Sequence, residues 1–232
     1  MKVILVANLA GGVGKTSIVH SMATAVAEYG KSALAVDADP AATLTFLCGM
    51  ENPRYTSREL FDGSQKLENI SIKTINRFTL LPSASRLLHT DFAGLAGLKS
   101  QFAEYDLVLI DSPTGPSPLM TSLISLADEI IAPVTGSFLS IRGALNLRDF
   151  VRSSESSVPI RILENSVSSW DSELRSALSE DFNFIEVVLR QGAELPAAQA
   201  KGASVLSDSP HCEIASDFRE LAYLLLEEIG VL

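Results

Sequence analysis

The sequence predicts an α/β fold in which helices cover both faces of a mainly parallel, twisted sheet. Short apolar segments alternate along the chain with longer stretches whose apolar residues recur at helical spacing. The short segments are nearly continuous in aliphatic residues, as is typical of strands buried on both faces. The 232 residues are 47% hydrophobic and only 6% aromatic, which suits one sizeable core. We therefore expect a single domain over residues 1–232, with right-handed crossovers.

The first half of the chain should supply five strands and several short helices. A helical pattern from Lys15 to Tyr29 is ended by Gly30. Shorter helices are expected at Thr43–Cys48 and Ser57–Phe61, and one or two more between Leu87 and Phe102. The apolar strands are expected at Lys2–Asn8, Ser32–Val36 and Leu107–Asp111, with Ile70–Ile75 and Phe78–Leu81 forming either a hairpin or an edge strand plus a central strand.

The second half should continue the same alternation to the end of the chain. Helical spacing resumes at Leu119 and runs to Leu126, after the Pro-rich loop that follows Asp111. Strands are then expected at Glu129–Pro133, Ile160–Val167 and Ile185–Leu189. The expected helices are Leu139–Val151, Trp170–Leu178 and an amphipathic terminal helix, Cys212–Ile229.

A glycine-rich loop joins the first strand to the first helix and indicates a phosphate-binding site. Glycines without Cβ atoms allow successive backbone N–H groups to point at a polyphosphate, and the following helix adds its positive dipole end. Lys15 is placed to reach the β- and γ-phosphates, and the Thr16 hydroxyl to ligate Mg²⁺. Leu9 departs from the general pattern, which has Gly there. The predicted nucleotide-binding residues in the loop are Gly11, Gly12, Val13, Gly14, Lys15, Thr16 and Ser17.

Three carboxylates follow the ends of predicted strands and should meet this loop. Asp37 and Asp39 follow the second strand, and Asp111 ends the strand that begins at Leu107. Ligands of open α/β sheets bind at the carboxyl ends of the strands. We predict Thr16, Asp37 and Asp111 as Mg²⁺ ligands, with Lys15 and Asp39 in catalysis and Asp39 orienting the attacking water. The alternative role for each of these carboxylates is a helix cap or a turn residue, and this alternative is strongest for Asp37.

Composition excludes several other classes of protein. A formal net charge of −10 argues against a constitutively basic nucleic-acid surface. No apolar run of eighteen residues and no signal-peptide pattern is present, so we expect a soluble, cytoplasmic protein without a membrane partner. Cys48 and Cys212 lack metal-ligand spacing and are expected to be reduced thiols.

Taken together and in order, these motifs resemble the ParA/MinD group of P-loop ATPases, which carry a deviant Walker A sequence and the SIMIBI-type fold. The resemblance covers nearly the whole chain. It implies an ATP- and Mg²⁺-dependent switch that closes into a homodimer, binds nonspecific DNA and is stimulated by a ParB-like or other adaptor protein to hydrolyse ATP. Such proteins position plasmids, chromosomes or other cargoes, so association with the nucleoid is implied. The motifs are Gly11–Thr16, Val36–Pro40, Leu80–Ser83, Tyr105–Pro113 and Gln199–Gly202 with the terminal helix.

The chain departs from the family pattern at one chemically important position. Ala10 stands where the family has a signature lysine that reaches the partner's phosphates, and Ala41 replaces a common glutamine. Some carboxysome-positioning relatives also lack this lysine. Arg142 is our suggested substitute, with a solvated helix-face arginine as its alternative. A nucleotide-binding interaction module with little or no hydrolysis is therefore the second functional hypothesis.

The resemblance implies two further roles outside the loop. Asn165 would hydrogen-bond the adenine edge, with a turn-forming asparagine as the alternative. Arg190 and Arg219 lie where ParA relatives contact DNA, although nearby glutamates dilute the positive field. A MinD-type membrane helix is rejected, because the last turns of the chain are acidic rather than basic.

Overall fold

One eight-stranded sheet forms the centre of the protein. The computed structural model describes residues 1–90, 92, 95, 97–167 and 172–232. Every neighbouring pair of strands is parallel except the first pair in the sheet, which is antiparallel. The strands are β1 Lys2–Val6, β2 Ala33–Asp37, β3 Ile72–Lys73, β4 Thr79–Leu81, β5 Leu107–Asp111, β6 Glu129–Val134, β7 Ile160–Glu164 and β8 Asn183–Phe184.

The strands lie in the order β3-β4-β2-β5-β1-β6-β7-β8. This order places β2 and β1 on either side of β5, with Asp37 opposite Asp111 in the register. The helices of the described residues are α1 Lys15–Glu28, α2 Thr43–Leu47, α3 Ser57–Phe61, α4 Leu67–Ile70, α5 Pro118–Leu126, α6 Phe138–Ser153, α7 Ser172–Ser179, α8 Glu194–Ala200, α9 Val205–Asp208 and α10 Glu213–Glu228, with 3₁₀ turns at Ser85–His89 and Leu98–Phe102.

The sheet is buried on both faces, as the aliphatic strands predicted. Successive strand side chains point to opposite faces, and Val3 and Leu5 of β1 accordingly enter one apolar cluster with Met120 and Leu147. Ile4 and Val6 enter the other cluster, which includes helices α1 and α10. The predicted α/β class, with its mainly parallel sheet and helices on both faces, is therefore confirmed.

Several predicted elements need correction. The strand expected at Ile185–Leu189 is wrong: β8 ends at Phe184, and Leu189 forms only an isolated bridge with Asn165. Between Leu87 and Phe102 the described residues form 3₁₀ turns instead of α-helix, and residues 91, 93, 94 and 96 lie outside the described residues. Residues 170 and 171 of the expected seventh helix also lie outside them.

Both descriptions offered for Ile70–Ile75 and Phe78–Leu81 hold, because β3 is an edge strand that forms a hairpin with the inner strand β4, and the structure adds three helices. Antiparallel β3 and β4 form the hairpin, and β4 also pairs parallel with β2. Sequence reasoning did not predict α4, α8 or α9, whose four to seven residues are too few to show a helical period. None of the helices in the described part of the chain has the length and apolar character needed to cross a membrane.

Candidate nucleotide-binding site

The glycine-rich loop has the backbone conformation that its sequence predicted. Gly12 and Gly14 have φ angles of 71° and 89°, in the left-handed region that favours glycine. A Cβ on Gly14 would also overlap the Nδ2 atom of Asn165. Helix α1 begins directly after Gly14 and has no acidic residue in its first turn. The loop therefore presents a helix N-terminus suited to an anion.

A cavity of about 300 Å³ lies over the start of α1. Residues 12–17 line one side of it, and Asp39 and Thr114 line the other. These residues come from the loops after β1, β2 and β5, which are neighbours at the centre of the sheet. Of the three strand-end carboxylates that the sequence singled out, Asp39 lines this cavity together with the loop, and so does Thr114, which sequence reasoning missed.

The Lys15 ammonium points back across the loop. Its Nζ atom donates hydrogen bonds to the carbonyl oxygens of Asn8 and Ala10, both at 3.4 Å, and to Thr114 Oγ1 at 3.3 Å. Burial lowers the pKa of Lys15, while the charges of Asp111 and Asp39 raise it. These hydrogen bonds are long for a charged donor. Phosphate oxygens in the cavity would be stronger partners for the same ammonium.

Asp111 is fully buried, and neither carboxylate oxygen has a donor at full hydrogen-bond geometry within the described structure, although the Thr16 hydroxyl lies close enough to stabilise the charged form. Burial raises its pKa well above the usual value, the Asp37 and Asp39 charges add to this shift, and the Thr16 hydroxyl and Lys15 oppose it. Buried carboxylates are normally paired or bound to metal. A hard divalent cation at Asp111 and Thr16 fits this unsatisfied oxygen donor set. No cluster of three or more His, Cys, Asp or Glu side chains suited to a metal occurs among the described residues.

Asp37 makes several hydrogen bonds within the fold. Its Oδ2 atom accepts from the Thr45 backbone N–H at 2.9 Å and from the Thr45 hydroxyl at 2.6 Å, and Oδ1 accepts from the Asp39 N–H at 3.1 Å. Burial raises the pKa of Asp37 to about 6, against the effect of the Thr45 hydrogen bonds. The residue thus anchors helix α2, and its role as a metal ligand stays a prediction.

Asp39 lies at the turn into α2 and is half-buried. Its Oδ1 atom accepts a hydrogen bond from the Ala41 N–H at 2.8 Å, and Ala42 has a left-handed φ of 54°. The carboxylate lines the phosphate cavity, where a nucleophilic water would have to stand. This position suits the predicted water-orienting role of Asp39, which stays a prediction.

Asn165 supports the back of the loop. Its side chain is buried, and Nδ2 donates to the Val13 carbonyl at 2.8 Å. Nearby, Gln199 Nε2 donates to the Ser17 hydroxyl at 2.7 Å, so helix α8 also contacts the start of α1. Sequence reasoning placed Gln199 in a family motif without this contact. The adenine contact predicted for Asn165 stays a prediction.

Asn8 links the loop to helix α6 and was missed by sequence reasoning. Its buried Nδ2 donates to the carbonyls of Pro133 and Ser140 at 2.9 and 3.0 Å, and its Oδ1 accepts from the Ala10 N–H at 2.9 Å. Arg142 lies exposed on the first turns of α6 and makes no ion pair within the described residues. It is therefore a free cation close to the loop.

The two arginines predicted to contact DNA are both engaged in ion pairs. Arg190 forms a double contact with Asp217 and a further pair with Glu213. Arg219 pairs with Glu28 and donates to the Pro210 carbonyl. Their charges are largely compensated by these partners, which weakens any attraction to phosphate.

The fold and the loop cavity define a nucleotide-binding protein of the P-loop type. The sequence model of the AAA domain family matches residues 1–162. The chain belongs to this family and is a ParA/MinD-like P-loop ATPase by relationship.

Similar proteins extend this relationship over the whole chain. The chromosome-partitioning ATPase Soj of Thermus thermophilus is 27% identical over 237 residues, which cover 94% of this chain and 93% of Soj. The maintenance of carboxysome distribution protein A of Synechococcus elongatus is 27% identical over 163 residues, 65% of each chain. The structure of the septum site-determining protein MinD from Pyrococcus horikoshii, complexed with Mg-ADP, superimposes with a TM-score of 0.84 at 21% identity, covering 99% of this chain and 98% of MinD.

Proposed function

We propose that this protein hydrolyses ATP and acts as an ATP-dependent dimerisation switch that partitions or positions DNA or another intracellular cargo. The observation that carries the proposal is the fully buried Asp111 carboxylate, which lies close to Thr16 and Lys15, two of the residues that line the loop cavity. Buried carboxylates are normally paired or bound to a metal, so this group is suited to hold the Mg²⁺ that ATP hydrolysis requires.

Each residue of the cavity has a separate task in this proposal. The backbone N–H groups of residues 11–16 and the Lys15 ammonium hold the phosphates. Thr16, Asp37 and Asp111 would hold Mg²⁺. When bound, the ion neutralises charge that develops on the phosphate oxygens. Asp39, at the open side of the cavity, orients the attacking water.

The cargo and the partners follow from the relatives by analogy. Soj is described as a chromosome-partitioning ATPase, and the cyanobacterial relative as a carboxysome distribution protein. A ParB-like or other adaptor would stimulate hydrolysis, and nonspecific DNA would retain the dimer on the nucleoid within the cytoplasm. Because Arg190 and Arg219 are paired, DNA contact in this chain would depend on other cations.

Ala10 favours a second candidate function, a nucleotide-binding module with little or no hydrolysis. Without a cation at position 10, a closed dimer loses one contact to the partner's phosphates. A carboxysome-type positioning ATPase that lacks the signature lysine lies between the hydrolysing switch and the module with little or no hydrolysis.

The test compares mass, turnover and DNA retention in one set of conditions. We expect ATP with Mg²⁺, but not ADP with Mg²⁺, to double the mass measured by light scattering and to give salt-sensitive DNA retention. Asp39→Ala should bind ATP yet lose turnover in the presence of DNA and adaptor. An unchanged mass with ATP would refute the switch, and a dimer without turnover would favour the interaction module.

A further inference from the structure

An exposed pair of large apolar side chains begins helix α6. Phe138 and Leu139 are 73% and 72% exposed, although they are the first two residues of a helix whose other face is buried. We call this pair the apolar knob. Two adjacent large apolar residues left in solvent mark a contact surface more often than isolated ones do.

The knob is held in a fixed position beside the phosphate loop. Asn8 donates to the Ser140 carbonyl in the same turn of α6 and accepts from the Ala10 N–H. Gly143, one turn further along, packs on Ala10 so closely that a Cβ there would lie 2.7 Å from the Ala10 nitrogen. Movement of the loop would therefore move the knob.

An apolar groove lies on the other side of the loop. It encloses about 750 Å³, shares Asp39 and Thr114 with the phosphate cavity, and is lined mainly by apolar residues, among them Leu87, Leu88, Phe92 and Leu119. Leu88 is 69% exposed at its edge. The groove has the volume to take one or two large side chains.

Knob and groove lie on either side of the loop at the carboxyl edge of the parallel strands, because the groove residues follow β4, β2 and β5, the loop follows β1, and the knob follows β6. Gly11 faces Thr114, with 3.9 Å from a Cβ built on Gly11 to the Thr114 Cγ2 atom, whereas Ala10 faces Gly143 of α6. A two-fold axis through the loop would place the knob of each copy over the groove of the other. Such self-complementarity is the requirement for a two-fold symmetric dimer.

The knob side and the groove rim carry opposite charges. Arg142 follows Phe138 by four residues and is exposed on the knob side, while the Asp39 carboxylate lies at the rim of the groove. Neither forms an ion pair within the described residues. The same two-fold axis brings the cation of one copy toward the carboxylate and phosphate site of the other.

We infer that the apolar knob, Phe138 and Leu139, docks in the Leu87–Leu88 groove of a second copy of this chain when ATP is bound. The inference rests on the proposed ATP-dependent dimer and names the surface that holds it together. The occupant is a second copy rather than an unrelated protein, because both halves of the contact are present on one chain.

The first test removes the knob and leaves the nucleotide site unchanged. In the Phe138→Ser/Leu139→Ser variant we expect the ATP affinity of the monomer, measured at a protein concentration too low for dimers, to stay within about twofold of wild type, and ATP-dependent dimerisation to weaken by at least about tenfold, as for the loss of a central apolar contact. Ile75→Ser is the matched control, because Ile75 is 89% exposed after the distant strand β3. This control should dimerise like wild type.

The second test does not depend on a folded double variant. Phe138→Cys protein is mixed with Leu88→Cys protein, both in a Cys48→Ser/Cys212→Ser background, and treated with a short bismaleimide. We expect a mixed cross-linked dimer with ATP and Mg²⁺ but not with ADP. Ile75→Cys in place of Leu88→Cys should give none.

The outcomes separate this inference from the proposed function. If wild type stays monomeric with ATP, both fail. If wild type dimerises but the knob variant dimerises equally and no cross-link forms, the dimer stands and the knob-in-groove contact is wrong. A knob variant that dimerises normally but loses stimulation by an adaptor would assign the knob to that partner, and this would also overturn the inference.

Discussion

Gly143 of helix α6 packs directly on Ala10 of the phosphate loop, where a Cβ built on Gly143 would lie 2.8 Å from the Cβ of Ala10. The same Cβ would overlap Oδ1 of Asn8, the atom that accepts the Ala10 N–H. Any side chain at position 143 must therefore displace the first residues of the loop. This contact connects the nucleotide site to the surface of α6.

Gly143→Ala should weaken both the fold and nucleotide binding. We expect a loss of about 1–3 kcal/mol in the free energy of unfolding, the usual effect of overpacking, and weaker ATP binding. Gly136→Ala is the control, because nothing lies within 4 Å of a Cβ there. Denaturant titration and fluorescent ATP binding measure the two effects, and a Gly143→Ala protein with wild-type affinity would show that the loop tolerates the shift.

Asp111→Asn should stabilise the nucleotide-free protein and abolish the proposed Mg²⁺-dependent hydrolysis of ATP. Burial raises the pKa of Asp111 in the folded protein, so above pH 3.8 the unfolded chain ionises first, and wild type loses stability as pH rises from 3.8 to the folded pKa, whereas the variant does not. We expect a gain of about 1–3 kcal/mol for the variant at neutral pH or above. Denaturant titrations at several pH values measure it, and addition of Mg²⁺ with ATP should stabilise wild type only.

Asn165→Ala should reduce ATP affinity by leaving the Val13 carbonyl without its 2.8 Å donor. The expected loss is about 1–3 kcal/mol. If Asn165 also contacts adenine, the preference for ATP over GTP should fall as well, whereas a purely supporting role would lower both affinities equally. Asn146→Ala, an exposed position on α6, serves as the control. Competition binding with the two nucleotides separates these roles.

Arg142→Ala should reduce ATP turnover if this arginine replaces the missing signature lysine. Arg152→Ala, exposed on the last turn of the same helix, should leave turnover unchanged. Ala10→Lys introduced into the Arg142→Ala protein should restore ATP turnover, because it supplies the cation from the loop itself. Turnover that is equal in the Arg142→Ala and Arg152→Ala variants would remove Arg142 from the site.

His20 should make the protein less stable in mild acid. Burial against Phe78 lowers the pKa of His20 to about 4, from about 6.5 when unfolded. The unfolded chain therefore binds the proton first, and stability falls as pH drops from 6.5 to 4. Between pH 7 and 4.5 wild type should lose about 2–3 kcal/mol more than His20→Leu. His211→Leu, at an exposed histidine, should follow wild type. Parallel denaturant titrations would refute this account if His20→Leu showed the same slope as wild type.

The sequence by itself determined the sheet, its burial on both faces and the position of the phosphate loop. Short local patterns predict these features, namely the aliphatic run at Leu107–Asp111 and the glycine-rich loop at Gly11–Thr16. Strands and helices can be told apart in such patterns because their side chains repeat with different periods. It also predicted that Asp39 and Asp111 would lie near Lys15, since parallel strands end at the same edge.

Only the tertiary structure decided which groups share hydrogen bonds and which remain free. Asp37 pairs with Thr45 and Asn8 contacts α6, so both contacts join residues on different elements. The buried oxygens of Asp111 have no donor at full hydrogen-bond geometry within the described structure. The short helices α8 and α9 and the wrong strand at Ile185–Leu189 show the same limit, because packing against α1 and β7, rather than local period, set their form. Such contacts depend on how the helices and strands pack against one another, and the residue pattern of a single segment does not predict them.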